Sequence, residues 1–402
     1  MAKTLYGLDI GSNQITCIAG SVRSDGIVEV QTISAQASYG IEKGTITDME
    51  QATASVKKAI QMTEKSLGQP IHNMTVSFSG LHATSHWVEK EISISGKKIK
   101  EIEFKHILNQ CKRDIPQETP IIHIIPYFYA VDGVQVKYPV GMFGKKLKAS
   151  IHIVTTPKSS LENLKILLDR CSVEIDNIVI DSYASALGIM DSEEKNISCM
   201  VLDMGGGTTS WSIFYQGNFM YSDNIILGGD HITEDIMYHL STGNAEAERI
   251  KNSHGMAFVP TGNLGNVEYY RIGENSNTPY TTQKEDVIKI IQHRLTNIFS
   301  TVNNKLGKFS FAKRLILTGG CSNIKNIREL ATHKLQRNVR IAKPIQTLGL
   351  HKYDSPSFST AVGLLRYAST PRTKEENIIV VKPETYEGPW WSRIYNWLKN
   401  EI

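Results

Sequence analysis

The feature that most constrains the fold is a strand-turn-strand pattern that occurs twice, about 190 residues apart. The two copies are LYGLDIGSNQITCIAGSVRSDGIVEV, from residue 5, and CMVLDMGGGTTSWSIFYQGNFMYSD, from residue 199. Each has an apolar strand that ends in an aspartate, Asp9 or Asp203, then a glycine-containing turn and a second strand. A turn of small residues leaves backbone N–H groups open, and such groups form an anion-binding nest. Two such hairpins that face each other would hold the phosphates of a nucleotide from both sides.

The aspartates themselves indicate a cation. A carboxylate at a strand end repels phosphate, but it can hold the waters of a Mg²⁺ ion that neutralises the phosphate charge. We therefore predict that Asp9 and Asp203 bind Mg²⁺ through water. The alternative is that each aspartate only ends a strand before an ordinary turn, and the repetition of the whole pattern argues against it. The predicted donors to phosphate are the N–H and hydroxyl groups of Gly11, Ser12, Asn13, Gly205, Gly206, Gly207, Thr208 and Thr209.

A third glycine turn follows a later strand, in RLILTGGCSNIKNIREL. Apolar residues lead into Gly319 and Gly320, and Ile324, Ile327 and Leu330 then follow at helical spacing. Close backbone approach beside a helix N-terminus suits a nucleoside or a phosphate. By itself this pattern is weak, because strand-Gly-Gly-helix turns are common.

Composition limits the class of protein. A chain of 402 residues exceeds what one hydrophobic core serves, so two or more domains are expected. The 44 basic and 40 acidic residues form no basic stripe, so no nucleic-acid partner is predicted. The first residues lack the apolar h-region of a secretory signal, and no apolar run reaches the roughly 20 residues of a membrane-spanning helix. The five scattered cysteines favour reduced, buried thiols of a cytoplasmic protein. Motifs of zinc proteases, serine hydrolases and P-loop proteins are absent from the sequence.

The three glycine turns together resemble the actin-like ATPase superfamily, which contains actin, heat-shock chaperone ATPases, sugar kinases, MreB and FtsA. DSYASALGI at 181–189 and STAVGLLRYA at 359–368 resemble its two inter-domain helices. Further segments narrow the resemblance to the bacterial FtsA family. They are SYGIEKGTITDMEQATASVKKAI, IIHIIPYFYAVDG, GGDHITEDI, AEAERIKNSHGMA and KIIQHRLTNIF, in the family's order.

The resemblance implies an α/β, actin-like fold of two lobes, each with a mixed sheet flanked by helices, plus an inserted subdomain and a C-terminal amphipathic helix. ATP and Mg²⁺ would lie at the bottom of the cleft. The implied division is 1–81 with 161–195 and 356–370 as subdomain 1A, 82–160 as the inserted subdomain 1C, 196–231 with 305–355 as 2A, 232–304 as 2B, 371–387 as a linker and 388–402 as the terminal helix.

The resemblance also implies site roles. Gly229 belongs to the implied nucleotide-binding set, Glu248 and Lys251 lie at the ribose and adenine, and Gly319 and Gly320 flank the adenine. For Glu248 and Lys251, three residues apart on one helix face, a surface ion pair is the alternative. Asp181 would orient an attacking water, with a helix-start cap as the equal alternative. No other base is evident, so slow ATP hydrolysis at most is expected. His123, beside two isoleucines, is expected to pack in a core.

The family's partners follow in the same way. The resemblance implies binding to the C-terminal tail of FtsZ, self-polymerisation, contact with later division proteins through the inserted subdomain, and a peripheral location on the inner face of the membrane at the division site. Ser210 and Asp230 depart from the family pattern, as do Gln292, Thr296 and Asn297 in the segment where Arg294 is kept. The lost acidic charges leave the FtsZ contact of Arg294 open.

The last segment, GPWWSRIYNWLKNEI, predicts an interfacial membrane helix. At 100° per residue Trp390, Trp391, Ile394, Trp397 and Leu398 share one face, and Arg393 and Lys399 lie on the other. About 21 Å of helix is too short to span a bilayer. The alternatives are packing on the protein itself or in a partner groove, and IIVV within the linker could instead form a docking strand. A single tail would bind reversibly, so polymerisation would strengthen attachment through avidity.

Rival functions exist on the same fold. A sugar kinase would need an acidic base and a substrate pocket, and the sequence identifies neither. A chaperone-type ATPase and an FtsA-related pilus-assembly adaptor are the other candidates, and the tryptophan-rich end argues against the last.

Overall fold

The computed structural model describes residues 3–370 except 80, 82, 117, 263 and 274–278. The predicted linker and terminal helix, 371–387 and 388–402, with Trp390, Trp391, Ile394, Trp397 and Leu398, therefore lie outside the described residues.

The first lobe is built on a six-stranded mixed sheet in the order β11-β6-β1-β2-β3-β19. Its helix α1 begins after the N-cap Asp48, whose carboxylate accepts two backbone N–H bonds, and stops at Gly68, which is left-handed with φ 70°. Residues of α1 such as Val56, Ala59 and Ile60 recur at helical spacing and are buried against the sheet. The elements up to the insertion are β1 Leu5–Ile10, β2 Gln14–Val22, β3 Val28–Ala37, β4 Ile41–Glu42, β5 Thr45–Ile46, α1 Met49–Leu67 and β6 Asn73–Phe78.

A separate antiparallel sheet follows, in the order β7-β10-β8-β9, with one helix packed on it. Phe104, Ile107 and Leu108 of that helix meet the apolar face of the sheet in a core of their own. The elements are β7 Thr84–Lys98, α2 Glu101–Lys112, β8 Ile121–Val131, β9 Val134–Val136 and β10 Phe143–Thr155. These bounds fall inside the predicted insertion, 82–160.

The chain then completes the first lobe and crosses to the second. The crossing elements are α3 Lys158–Arg170, β11 Glu174–Ile180, α4 Asp181–Ile189 and α5 Ser192–Asn196. The buried His123 accepts the Ile180 N–H at 3.1 Å, which confirms that this histidine packs in a core.

The second lobe has a five-stranded mixed sheet in the order β14-β13-β12-β17-β18. Trp211, Leu202 and Ile298 belong to its core, with no exposed surface. The elements are β12 Cys199–Met204, β13 Thr209–Tyr215, β14 Asn218–Ile225, α6 Gly229–Leu240, α7 Asn244–His254, β15 Asn266–Tyr269, β16 Tyr280–Gln283, α8 Lys284–Leu306, β17 Arg314–Thr318, α9 Ile327–Leu335 and β18 Asn338–Ile341. The chain returns to the first sheet at β19 Thr347–Leu348, earlier than the boundary predicted at residue 355, and ends its described part with α10 Ser359–Ser369.

The two sheets repeat one topology. In each, an antiparallel hairpin leads outward and a parallel strand pairs with the first strand of that hairpin: β3-β2-β1-β6-β11 matches β14-β13-β12-β17-β18. Asp9 and Asp203 occupy corresponding positions, each the second-last residue of its strand. The duplicated hairpin of the sequence is therefore a duplicated half-sheet, as the fold prediction requires.

Helices α4 and α10 pack on each other between the lobes with their backbones close together. A Cβ atom at Gly363 would overlap the carbonyl oxygen of Ala184, and one at Gly188 would overlap that of Ser359. The glycines are thus required by the approach of the two main chains.

All five cysteines are free and buried, as expected from the sequence. Among the described residues, no helix combines the length and the apolarity that a membrane crossing needs.

Candidate functional site

A cleft of about 500 Å³ lies between the lobes, and residues from both hairpin turns line it. The third glycine turn and helices α4, α6, α7 and α10 supply the remaining walls. Fifteen predicted site residues line this one cleft: Asp9, Gly11, Ser12, Asn13, Asp181, Asp203, Gly205, Gly206, Gly207, Thr208, Gly229, Glu248, Lys251, Gly319 and Gly320. Segments that are far apart in sequence thus meet at one place.

The first turn is fixed by a serine of the neighbouring parallel strand. Ser77 on β6 donates to Asp9 Oδ1 at 2.8 Å, and its Oγ accepts the Ile10 N–H at 2.8 Å. The Gly11 N–H donates to the Gln14 carbonyl at 3.1 Å and closes the turn. Asp9 is therefore held at the cleft wall by β6.

The second aspartate is held from the inter-domain helices. Thr360 on α10 donates to Asp203 Oδ2 at 3.2 Å, and Ser185 on α4 also hydrogen-bonds to this carboxylate. These bonds tie the second turn to the two helices that join the lobes.

Burial raises the pKa of both carboxyls. The pKa of Asp9 rises to about 7, because desolvation outweighs the Ser77 hydrogen bond and the neighbouring Asp203 adds repulsion. The pKa of Asp203 rises to about 6, again through desolvation, which the Ser185 and Thr360 bonds oppose. A cation between the two carboxylates would relieve this cost.

The donor set fits Mg²⁺ held through water. Among the described residues no group of three or more His, Cys, Asp or Glu side chains is placed to enclose a metal. Mg²⁺ retains several waters and usually takes one or two carboxylates plus substrate phosphates, which corresponds to Asp9 and Asp203 beside open N–H groups.

The two turns approach each other closely. A Cβ at Gly206 would lie 2.5 Å from the side chain of Asn13, and one at Gly207 would lie 2.6 Å from Ser12 Oγ. Ser12 Oγ also accepts the Gly44 N–H at 3.0 Å. Glycine is needed here because the opposite hairpin occupies the space of any side chain.

A side-chain bond between the two lobes crosses the cleft. Asn13 Nδ2 in the first lobe donates to Asp230 Oδ1 in the second at 2.6 Å. Asp230 is one of the departures from the family pattern, and burial raises its pKa. It links the first hairpin to the N-terminus of α6.

The third turn adjoins the second aspartate. Gly319 has φ 84°, and a Cβ there would overlap Asp203 Oδ1 and lie 2.6 Å from the Met204 carbonyl oxygen. The helical spacing predicted from Ile324 is wrong at its start. Residues Gly320–Asn323 form a 3-10 turn, Ile324 is extended, and α9 begins at Ile327.

Lys251 is buried beside Glu248, with 10% of its side chain exposed. Its ammonium donates to Glu248 Oε1 at 2.5 Å, to Thr233 Oγ1 at 2.8 Å and to the Gly229 carbonyl at 3.1 Å. An ammonium has three donors, so all are used within the protein. Lys251 therefore braces Glu248 and the start of α6, and a contact with adenine would require one of these bonds to break.

Two other predicted residues take different places. Thr209 does not line the cleft: its side chain is fully buried and its hydroxyl donates to the Leu227 carbonyl at 2.7 Å, so the prediction of a phosphate-binding hydroxyl there is wrong. Arg294 on α8 makes a two-pronged ion pair with Asp235 on α6, at 2.7 and 2.6 Å. A partner carboxylate at Arg294 would have to compete with Asp235.

Asp181 is the first residue of α4 and lines the cleft. Its carboxylate accepts the Ser182 N–H at 2.6 Å. The N-cap of α4 is Ile180, so Asp181 is not the cap residue, although its carboxylate satisfies one N–H of the first turn.

Sequence reasoning missed the residues that hold the aspartates in place. Ser77, Ser185 and Thr360 come from three distant segments, and isolated Ser and Thr residues form no motif. The only signal that could have found them is their position: Ser77 lies on β6, which pairs in parallel with β1, and the other two lie on the inter-domain helices.

Comparison with protein families gives two matches. The model described as cell division protein FtsA matches residues 200–363, and the one described as the SHS2 domain inserted in FtsA matches residues 80–155. The second match coincides with the separate sheet β7-β10-β8-β9.

Individual proteins agree with these matches. The chain is 27% identical to cell division protein FtsA of Escherichia coli K12, over 100% of this chain and 98% of that protein. It is 30% identical to cell division protein FtsA of Agrobacterium fabrum C58, over 90% and 86%. Among solved structures, the PilM-PilN type IV pilus biogenesis complex aligns with TM-score 0.65 at 14% identity, covering 91% of this chain and 99% of that one. MreB5 of Spiroplasma citri bound to ADP aligns with TM-score 0.54 at 16% identity, covering 90% and 94%.

Proposed function

Since the chain belongs to the FtsA family of cell division proteins, we propose that it binds ATP with Mg²⁺ between its lobes, polymerises, and attaches FtsZ to the inner face of the cytoplasmic membrane at the division site. That it is an actin-like cell division protein follows from the family and the fold. The nucleotide, the partners and the membrane are the proposal.

The convergence of the two aspartate turns on one cleft is the observation that carries ATP binding. The Gly11 and Gly205 N–H groups close their own turns, and the N–H groups of Gly206 and Gly207 suit phosphate oxygens, whose charge Mg²⁺ would neutralise. Asp9 and Asp203 would hold the waters of that ion. A solved structure with the same fold, MreB5, is described as bound to ADP, which supports nucleotide binding by this fold.

Hydrolysis is proposed to be slow. Asp181 lines the cleft and would orient a water, and its carboxylate accepts the Ser182 N–H. The protein would then use ATP mainly to set the relative position of its lobes, and thereby polymerisation.

Titration of a fluorescent ATP analogue tests the nucleotide proposal. We expect Mg²⁺-dependent binding by the wild type and at least a tenfold loss in Asp203→Asn, where the charge is removed at nearly constant shape. Asp235→Asn, which alters a carboxylate outside the cleft, is the matched control. Equal affinity of Asp203→Asn and the control would contradict the proposed site.

FtsZ recruitment to vesicles tests the tether. The full chain should float with lipid vesicles and carry FtsZ with it, and Trp390→Ser with Trp391→Ser should abolish both. Asn396→Ser, on the other face of the predicted helix, should leave flotation unchanged. FtsZ that sediments with the protein but never reaches the lipid would refute the membrane part alone.

Polymerisation should strengthen lipid attachment. A variant that binds ATP but does not polymerise should bind vesicles much more weakly than the wild type, because avidity multiplies affinity by about 10² to 10⁴. Equal binding would refute the link.

A further inference from the structure

The inserted sheet has a distal end that carries exposed apolar side chains and lysines. Thr84 of β7 pairs with Thr155 of β10 next to the first lobe, and Lys98 pairs with Phe143 at the opposite end. Fifteen residues of strand span about 46 Å at 3.3 Å per step. We call this opposite end, residues 95–100 and 132–145, the tip.

Three apolar side chains at the tip are open to solvent. Phe143 is 73% exposed, Val134 67% and Met142 39%. The segment around them is held by backbone bonds of 2.8 Å, from the Ile99 N–H to the Met142 carbonyl and from the Gly141 N–H to the Ile99 carbonyl. The two connections at the tip therefore have a defined backbone structure, and these side chains are exposed within it.

Lysines lie close to these side chains in the strand register and in the sequence: Lys98 pairs with Phe143, and Lys145 follows Phe143 by two residues. Further down the sheet Lys146 pairs with Glu91, and Lys148 pairs with Glu89. At the tip, by contrast, no carboxylate of the described residues lies within ion-pair distance of the lysine ammonium groups. These exposed lysines are Lys97, Lys98, Lys100, Lys137 and Lys145.

The acidic residues nearby are used differently. Asp132 Oδ1 accepts the backbone N–H groups of Lys145 and Lys146, each at 2.8 Å. Glu103 accepts the Lys100 N–H at 2.9 Å, and Glu101 accepts the Tyr138 hydroxyl at 2.8 Å. The carboxylates thus hold the turns in shape, while the ammonium groups face solvent.

We propose that the tip is a second membrane contact, which rests on anionic lipid headgroups. Exposed apolar side chains together with exposed lysines are the composition of an interfacial lipid-binding surface. Each lysine near an anionic membrane contributes attraction that decays within a Debye length, so the contact needs negative charge on the lipid.

The end of the described chain is compatible with this orientation, an argument that rests on the proposed function. Tyr367 Oη near the end of α10 lies 3.4 Å from His123 Nδ1, at the base of the inserted sheet. From His123 β8 runs about 26 Å towards the tip, and a 17-residue linker can reach about 55 Å. The terminal segment and the tip could therefore meet the same bilayer.

Flotation of the full chain with vesicles tests the proposal. We compare phosphatidylcholine vesicles with ones that also contain phosphatidylglycerol, at low and high salt. Lys97→Glu with Lys98→Glu should weaken binding to the anionic vesicles at least tenfold, since one lysine contributes about fivefold. Phe143→Ser should weaken it about tenfold. Matched controls are Lys57→Glu with Lys58→Glu on α1 and Ile166→Ser on α3, all exposed.

A label reports the tip directly. Since the five native cysteines are buried, Val134→Cys can be labelled selectively with an environment-sensitive fluorophore. Its emission should shift to the blue on anionic vesicles at low salt, and the same label at Ile166→Cys should not respond. Circular dichroism checks that every variant is folded.

The outcomes separate this inference from the proposed anchor. If the tip variants bind like their controls and the label does not respond while Trp390→Ser with Trp391→Ser abolishes flotation, the tip proposal is overturned and the terminal anchor stands. If the tip variants lose binding and the tryptophan variant does not, the tip stands and the anchor fails. A full chain that binds no vesicle overturns both. Tip variants that change the oligomeric state without lipid would show that a second copy covers the tip, and would also overturn it.

Discussion

Replacement of Asp9 by asparagine should stabilise the nucleotide-free protein while it removes Mg²⁺-dependent ATP binding. The folded protein holds this carboxyl at a pKa of about 7, against an ordinary 3.8, mainly because burial opposes its ionisation. Asparagine keeps the shape and can still accept the hydrogen bond that Ser77 donates at 2.8 Å. The substitution therefore removes a charge that the cleft tolerates poorly without a cation.

The magnitude follows from the pKa. One pKa unit corresponds to about 1.36 kcal/mol, so the rise corresponds to about 4 kcal/mol at most, and to roughly 2 kcal/mol once water reaching the half-buried group is allowed for. The direction of the pH dependence follows because folding raises the pKa of this carboxyl. The contribution of the Asp9 carboxyl to the free energy of unfolding is fully present below about pH 4. It is lost as the pH rises to about 7, because the carboxyl of the unfolded chain releases its proton at a lower pH than that of the folded chain.

Thermal unfolding of the nucleotide-free wild type and Asp9→Asn between pH 4 and 8 measures this. The variant should be more stable at pH 8, and the difference should vanish near pH 4. Asp48→Asn is a matched control, for which the change in stability should have the opposite sign. The backbone N–H of Gln51 lowers the pKa of Asp48, so this control should be the less stable protein at pH 8.

Adding MgATP at pH 8 gives the second readout. The wild type should gain stability in proportion to ligand binding, and Asp9→Asn should gain little. A variant whose stability follows the wild type across the whole pH range would refute the claim that burial strains this carboxylate.

Three further predictions concern other parts of the molecule. Gly319→Ala should lower the free energy of unfolding by roughly 2–4 kcal/mol and abolish nucleotide binding, because Gly319 has a positive φ and a Cβ there would overlap Asp203. Thermal unfolding checks the first effect and ATP titration the second. Glu194→Gln should lower stability by about 3–5 kcal/mol in urea titration, because this carboxylate, buried apart from 8% of its side chain, pairs with Arg314 and Arg340. Asp235→Arg should lower the stability of the second lobe by about 1–3 kcal/mol, the added exchange Arg294→Asp should restore most of it, and an exchange that restores nothing would show that the pair is not the cause.

Much of the fold was predictable because it depends on repeated local chemistry. Apolar strands ending in Asp9 and Asp203 and followed by glycine turns indicated two equivalent halves, and the sheets have the corresponding strand orders. The inserted unit was predicted from resemblance. Helix α9 shows the limit: Asn326 is left-handed with φ 62°, so the apolar spacing that includes Ile324 crosses a break that hydrophobic periodicity does not register.

The parts that were not predictable depend on contacts between distant segments. Thr209 has the hydroxyl of a phosphate ligand, but the partner that takes it, the Leu227 carbonyl, is set by strand packing. Lys251 was expected at the nucleoside, yet Thr233 and Gly229 take its donors because α6 and α7 cross there. Such outcomes follow from three-dimensional neighbours, for which a single sequence offers no pattern.

The glycine contact between α4 and α10 has a consequence for the width of the cleft. Where Gly188 and Gly363 touch the opposite main chain, the spacing of the two helices is set by backbone thickness, with no side chain that could be repacked to a new distance. Any larger residue at either position would act as a wedge and drive apart the walls that carry Ser185 and Thr360. The width of the cleft is thus set by a helix contact that lies outside the lining of the cleft.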